Sequence, residues 1–328
     1  MFSGSLDLTD RYVWDVVFPS GPGALATPQH AFYLQADRSV APGERHFYSS
    51  LGHAKRTYDG WVSDSAAALS GRPSNFDQAI WGVGVLSLTL TNHLLFYTGL
   101  HYTGEYLWQQ RIGLARSTNA DLRDWQRLEA PILQPAPPYR MAEKDECGFG
   151  PIFRDPAPFI GDDGRLHVAF AARLADVPAP HNACIGHAVA INDELTDWAM
   201  LPPLVDGSDR YSEMEVPQVI RHGGLWYVFF TVHAMHYNLG WAEKVGDARP
   251  GLHCYVGPTL NDCRVPVNNH GNVWPSTVLR GPRLFGNPSG NRFKAQGWVD
   301  SMDIPGAGGL SAVIMLDLNG DNVIMIRA

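Results

Sequence analysis

Three acidic positions in the sequence sit where a lone carboxylate is out of place. Asp15 lies in YVWDVVFP, between aromatic and apolar residues. Asp155 lies in FRDPAPF, with Arg154 before it and Pro156 fixing the turn after it. Glu215 lies in Tyr211–Ile220, YSEMEVPQVI, two residues after Glu213 inside an apolar run. Side chains alternate across a strand, so Glu213 and Glu215 point one way while Ser212, Met214 and Val216 point the other. Two carboxylates about 6.5–7 Å apart feel each other's charge, which raises one pKa and predicts a Glu215 that holds a proton near neutrality. Taken singly, each acid has a plainer reading: a turn cap for Asp15, a salt-bridged corner for Asp155, the wet face of an edge strand for the glutamates. Taken together, three buried carboxylates supply what glycoside hydrolysis requires, namely a nucleophile, a proton donor and a binder of sugar hydroxyls.

These acids are distant in sequence, so the fold must gather them. Strand signals dominate the chain. Leu86–Tyr102 reads as a hairpin turning at Asn92-His93, and Ile152–Ala171 as one turning through Gly161–Gly164. Gln218–Val232 turns through His222–Gly224, and Ser311–Arg327 through Asn319–Asn322. The Ala-rich stretch Ser65–Leu69 is the one place that suggests a short helix. There is also an internal echo: a strand, a polar turn, Leu-x-Asp-Trp and a second strand recur at Leu122–Trp125 and Leu195–Trp198, the two tryptophans 73 positions apart. A sheet unit repeated around an axis is how a β-propeller avoids exposed edges. At roughly 65–70 residues per unit, the 328 residues make five four-stranded blades, an all-β single domain over residues 1–328. In a propeller the starts of the inner strands converge on one end of the channel, and Asp15, Asp155 and Glu215 each fall near such a start.

Composition narrows the partners. Hydrophobic residues make up 45% and charged residues 18%, and no apolar run approaches the length of a membrane helix. A net charge of −8 without a Lys/Arg cluster argues against nucleic acid and fits a neutral or cationic small molecule. The N-terminus lacks a basic start and an apolar core, so no signal peptide is expected and the expected location is the cytoplasm, secretion by another route aside. Cys147, Cys184, Cys254 and Cys263 form no CxxC and read as reduced, half-buried thiols. His233 and His236 are the tightest histidine pair, but with no HExxH and no third ligand at a metal spacing they read as structural, and no metal is expected. The glycines of Trp81-Gly-Val-Gly-Val85 do not complete a dinucleotide motif, so no cofactor is expected.

The order of these motifs resembles glycoside hydrolase family 68, the levansucrases, inulosucrases and bacterial β-fructofuranosidases. The resemblance rests on Val13-Trp-Asp15, Arg154-Asp-Pro156, Glu213-Met-Glu-Val-Pro217, the strand Trp226–Phe230 ending at His233, and the closing segments Asn269–Val273 and Leu284–Pro288. It implies a five-bladed propeller with a funnel-shaped pocket. It further implies Asp15 as nucleophile, Asp155 as transition-state stabiliser and Glu215 as acid/base. Trp14, Trp81 and Arg154 would line the donor subsite, with Glu213 and His233 on the leaving-group side. The implied partners are a fructoside such as sucrose and a sugar or water acceptor. Three positions depart from the family pattern: Val216 stands where an arginine usually follows the acid/base, Gly82 and Gly84 where a WSGSA-type motif carries hydroxyls, and Val-Val-Phe-Pro follows Asp15. Two other readings fit the same residues. One is a related propeller glycosidase acting with inversion on arabinosides or xylosides, its carboxyls about 6.5–9.5 Å apart rather than roughly 5–5.5 Å. The other is a carbohydrate-binding propeller without activity.

Overall fold

In the computed structural model the chain forms five sheets arranged as a propeller. The structure describes residues 10–102, 108–141, 152–246, 249–299 and 309–326. Blade I is β1 (Arg11–Val17), β2 (His30–Asp37), β3 (Ser50–Thr57) and β4 (Gly60–Ser63); blade II is β5 (Ala79–Thr89), β6 (Asn92–Tyr102), β7 (Trp108–Ser117) and β8 (Gln126–Arg127). Blade III is β9 (Phe153–Ile160), β10 (Leu166–Arg173), β11 (Ala183–Ala190) and β12 (Trp198–Asp206). Blade IV is β13 (Glu215–His222), β14 (Leu225–Val232), β15 (Gly251–Gly257) and β16 (Val265–Pro266), with β17 (Asn272–Pro275) also paired to β15. Blade V is β18 (Leu279–Ser289), β19 (Arg292–Val299), β20 (Gly309–Leu310), β21 (Ile314–Asn319) and β22 (Asn322–Ile326). Each blade is an antiparallel meander of consecutive strands. The first strands, β1, β5, β9, β13 and β18, touch in ring order and wall the central channel.

The interiors of the blades hold the core in slabs rather than one centre. Phe96, Ile112, Phe153 and Phe170 fill the space between blades II and III, and Phe159, Ile185, Trp226 and Phe230 that between III and IV. Tyr227, Cys254, Leu284 and Leu316 do the same between IV and V. Burying such side chains stabilises by about 1.5–3 kcal/mol each, and this face-to-face packing is what holds one blade beside the next.

The repeated Leu-x-Asp-Trp is a real structural unit. In both copies the leucine is left-handed, φ 56° at Leu122 and 59° at Leu195, and the indole Nε1 donates to that leucine's carbonyl at 3.0 Å. It forms the turn between the third and fourth strands of blades II and III. Blade IV has the related stretch Leu260-Asn-Asp-Cys263 in the same place, but there the chain makes a 3₁₀ turn and the Cys263 thiol contacts the Thr259 carbonyl.

Three expectations need correction. The blade II hairpin turns at Leu90-Thr91, two residues early, because β6 already begins at Asn92 and the Ser87 hydroxyl pairs with His93 across the arms at 2.8 Å. Residues 65–69 are irregular rather than helical; Leu69 bridges Leu51, so this stretch runs along the edge of blade I. Among the described residues the α-helix is instead α1 (Leu239–Val245), capped by Asn238, whose side chain accepts from the Gly240 and Trp241 amides. Cys184, Cys254 and Cys263 are free thiols, fully buried between blades rather than half-buried, whereas Cys147 lies outside the described residues. Among the described residues no helix is long and apolar enough to cross a membrane.

Candidate active site

Every inner strand carries a register break at the same depth. The pairing slips between Trp14 and Val17, between Trp81 and Val83, opposite Ala169–Ala171 in β9, between Glu215 and Gln218, and between Arg280 and Arg283. A bulge of this kind bends the strand and re-aims a side chain. In four blades it holds a left-handed residue: Asp15 at φ 50°, Asp155 at φ 59°, Val216 at φ 51° and Gly281 at φ 46°. Non-glycine residues rarely adopt this conformation, which costs roughly 1–3 kcal/mol each. The strain sits on two of the three candidate acids and on the residue after the third.

The bulges bring chains from neighbouring blades into direct contact. One Arg154 nitrogen, Nη2, donates to Glu213 Oε2 and to Glu215 Oε1, both at 2.7 Å. Its Nε lies 3.7 Å from Asp155 Oδ2. His233 Nε2 is 2.9 Å from Glu215 Oε2, and His236 Nε2 is 3.7 Å from Glu213 Oε2. Asp155 is fixed through both its amide and its carboxylate: its N–H donates to Thr98 Oγ1 at 2.9 Å, and Oδ2 accepts from the Val216 N–H at 3.0 Å. Trp14 and Trp81 join this cluster through His46. The His46 ring meets Trp14 edge-on at 5.1 Å and Trp81 at 5.7 Å, and Trp81 Nε1 donates to the His46 carbonyl at 2.7 Å. Arg45 lies 5.0 Å over the Trp14 ring. Asp15 occupies on β1 the bulge that Asp155 occupies on β9, and both act electrostatically on the buried Arg283 of β18.

The structure thus gathers the sequence-derived residues Trp14, Asp15, Trp81, Arg154, Asp155, Glu213, Glu215 and His233 at one level of the channel. It adds His236, which the sequence reads as structural, and Arg45, His46, Thr98 and Arg283, which sequence reasoning missed. Arg45 and His46 belong to a 3₁₀ turn, Pro42–Phe47, that carries no strand signal.

Electrostatics overturn one expectation. Burial by itself would push Glu215 up, but the hydrogen bond from His233 and the Arg154 charge outweigh it and hold the carboxyl well below its ordinary range. Arg154, buried between the two glutamates and bonded to both, offsets the like-charge repulsion that would otherwise raise one of them. Asp155 goes the other way: burial raises its pKa, and Glu215 adds to this, against the opposing charges of Arg154 and Arg283 and the Val216 N–H. His46 is lowered to about 4, first by burial and then by the Arg45 and Arg154 charges, so it is neutral near pH 7.

Fold and site together define a five-bladed propeller with a carboxylate–arginine cluster at one level of its channel. Residues 177–282 match the sequence model described as Levansucrase/Invertase, glycoside hydrolase family 68, a span that includes Glu213, Glu215 and His233. Levansucrase Lscbeta of Pseudomonas syringae pv. actinidiae is 32% identical over 145 residues, 37% of this chain and 32% of that protein. The levansucrase of Erwinia amylovora is 26% identical over 166 residues, 43% of this chain and 36% of that protein. The matched stretch therefore spans about a third of these relatives' own length. In three dimensions the likeness extends much further. The inulosucrase from Halalkalicoccus jeotgali bound to kestose superposes with TM-score 0.79 at 20% identity, over 96% of this chain and 87% of that one. The levansucrase from Gluconacetobacter diazotrophicus does so with TM-score 0.76 at 17% identity, over 97% and 80%. At such identities the superpositions speak to the propeller fold. The sequence match to glycoside hydrolase family 68 thus covers about a third of the chain, residues 177–282, while the likeness in fold covers nearly all of it.

Proposed function

We propose that the protein is a retaining glycosidase or transglycosylase acting on β-fructofuranosides such as sucrose. The observation that carries this reading is the shared bulge, which aims carboxylates from blades I, III and IV at one level of the channel. Asp15 attacks the anomeric carbon of the fructosyl unit while Glu215 delivers a proton to the departing glycosidic oxygen; glucose leaves and a fructosyl ester of Asp15 remains. Glu215 then takes a proton from water or from a sugar hydroxyl as that oxygen attacks the same carbon, the bond from that carbon to the Asp15 oxygen breaks, and Asp15 leaves as the carboxylate. Asp155, behind the ring, accepts hydrogen bonds from sugar hydroxyls as positive charge develops. Trp14 and Trp81 provide aromatic wall, and Arg154, Glu213 and His233 hold hydroxyl groups of donor and leaving group.

The resting Glu215 is an anion, yet the first step needs an acid. Sugar hydroxyls that engage Arg154 weaken its grip on Glu215, and burial, the largest single influence on that carboxyl, then favours the protonated form. The 2.9 Å contact to His233 gives the proton a path. Val216 in place of the usual arginine removes one cation next to Glu215, which works in the same direction.

The test is to incubate the protein with sucrose and other fructosides and to follow free glucose and fructose. Glucose in excess of fructose means transfer to a sugar, and equal amounts mean hydrolysis. Asp15→Asn and Glu215→Gln should each lower turnover by at least about 10³-fold with the fold retained. Ordinary activity in either variant refutes the role assignment. Cleavage of a pentoside with inverted product instead would favour the second reading, and sugar binding without cleavage the third.

A further inference from the structure

Blade I is tied to β5 through backbone bonds just past β1, where the Ser20 N–H donates to the Val85 carbonyl and the Ser20 carbonyl accepts the Ser87 N–H; among the described residues β13 and β18 share no such backbone bond. Between β13 and β18 the link is made by side chains. Gln218 clamps the backbone of Leu284, its Nε2 donating to the Leu284 carbonyl and its Oε1 accepting the Leu284 N–H, both at 2.8 Å. One residue away, Arg283 reaches back across the same seam. Its Nη1 donates to the carbonyls of Val216 and Pro217, the two residues that follow Glu215. Arg283 is 5% exposed, and its Nε makes no hydrogen bond among the described residues. A cation buried with incomplete bonding is costly and is poor as a stabilising device.

We propose that Arg283 is a positioning residue for the acids: it locks the left-handed peptide at Val216, so that the Val216 N–H stays on Asp155 and Glu215 keeps its direction, and its charge stands behind Asp155 and Asp15. Four observations converge on this. The carbonyls it holds belong to the strained turn, φ 51° at a β-branched residue. The amide of that same turn is the one bonded to Asp155 Oδ2 at 3.0 Å. Three influences oppose the rise in Asp155's pKa, and two of them, the Val216 N–H and the Arg283 charge, run through this side chain. Gly281, at the matching bulge of β18, leaves the needed space: a Cβ there would lie 3.1 Å from Val216 Cγ1. Arg154 and Arg283 thus divide the work, the first between the glutamates and the second behind the aspartates.

This inference rests on the proposed reaction for its kinetic consequence but not for its electrostatic one, and the two can be measured apart. Protein carrying ¹³C-carboxyl aspartate is titrated by NMR, the Asp155 signal being assigned by its loss in Asp155→Asn. In Arg283→Met, Asp155 should titrate about one pH unit or more higher than in the parent. With sucrose as substrate, kcat should fall by about 10²-fold while KM changes less than threefold. Arg283→Lys keeps the charge but its shorter side chain ends before the position of Nη1, the one atom that reaches both carbonyls, so it should restore most of the Asp155 titration while kcat stays at least tenfold down. An unmoved Asp155 titration in folded Arg283→Met overturns the inference. Should that variant fail to fold, full kcat in Arg283→Lys overturns it instead. A parent protein that cleaves no fructoside refutes the proposed reaction, while the NMR titration still decides what Arg283 does to Asp155.

Discussion

Gly82 offers a sharp probe of how tightly the site is built. A Cβ placed on Gly82 would sit 1.9 Å from Asp155 Oδ1, 2.8 Å from its Cγ and 3.0 Å from its Cα. Ordinary contact begins near 3.4 Å, so in Gly82→Ala the Asp155 carboxylate must retreat by roughly 1.5 Å. It has little room to do so. Its amide is held by Thr98, whose hydroxyl in turn donates to the Gly82 carbonyl at 3.1 Å, and its other oxygen is held by Val216. Retreat breaks the Val216 N–H bond to the carboxylate, a charged hydrogen bond whose loss costs about 1.5–3 kcal/mol. On the proposed reaction, that loss and a misplacement of about 1 Å at a catalytic group together predict a fall in kcat/KM of about 10²–10³-fold. Overpacking at a single buried methyl destabilises by about 1–3 kcal/mol, so the variant should still fold. Steady-state kinetics on sucrose beside a thermal melt make the check. Turnover within threefold of the parent, in a folded Gly82→Ala protein, would refute the claim that Asp155 needs this exact seat.

Val216→Gly should fold at least as well as the parent, since relief of a left-handed valine, about 1 kcal/mol, offsets the lost side chain; a large drop in melting temperature would show that the turn is not strained. Stability should also fall with acid in a defined window. His30 is lowered to about 4, His187 to about 3 and His253 to about 4, each first by burial, and His46 behaves likewise. Depressed histidines stay neutral in the fold but protonate in the unfolded chain below its pKa of about 6.5, so stability present above that value is lost as pH drops towards 4. Between pH 7 and 5.5 each contributes a loss of about 1.2 kcal/mol, about 5 kcal/mol for the four. Urea unfolding at the two pH values measures it, and a change under about 1 kcal/mol would contradict the buried neutral state.

What the sequence revealed and what it withheld divide along a physical line. Hairpins, the Leu-x-Asp-Trp turn and the acids in apolar runs are local, governed by residues within one blade, and they were legible. Thr98 and Arg283 come from blades II and V and meet the acids only when the ring closes, and Arg45 and His46 sit in the irregular link between β2 and β3 of blade I, far in sequence from the Trp14 they pack on. The direction of the Glu215 pKa was misjudged for the same reason. Glu213 and Glu215 do point the same way, but Arg154, arriving from blade III, decides what that proximity does, and no pattern within residues 211–220 encodes it.

The bulges explain why such a site can exist in a propeller at all. Regular inner strands would alternate their side chains between the two neighbouring blades and spend them on the slab cores, with none aimed along the channel. An extra residue at one depth of each inner strand breaks that alternation, re-aiming an acid in blades I, III and IV, while in blades II and V Gly82 leaves room for Asp155 and Gly281 for Val216. The left-handed angles at Asp15, Asp155 and Val216 are the local cost of that turn, and the bonds from Thr98, the Val216 amide and Arg283 hold it in place. It follows that the groups nearest the acids stabilise the bulges as well as the charges. A substitution that merely removed charge and one that merely relaxed a bulge should then differ in the observable they move, the titration of Asp155 in the first case and the melting temperature in the second.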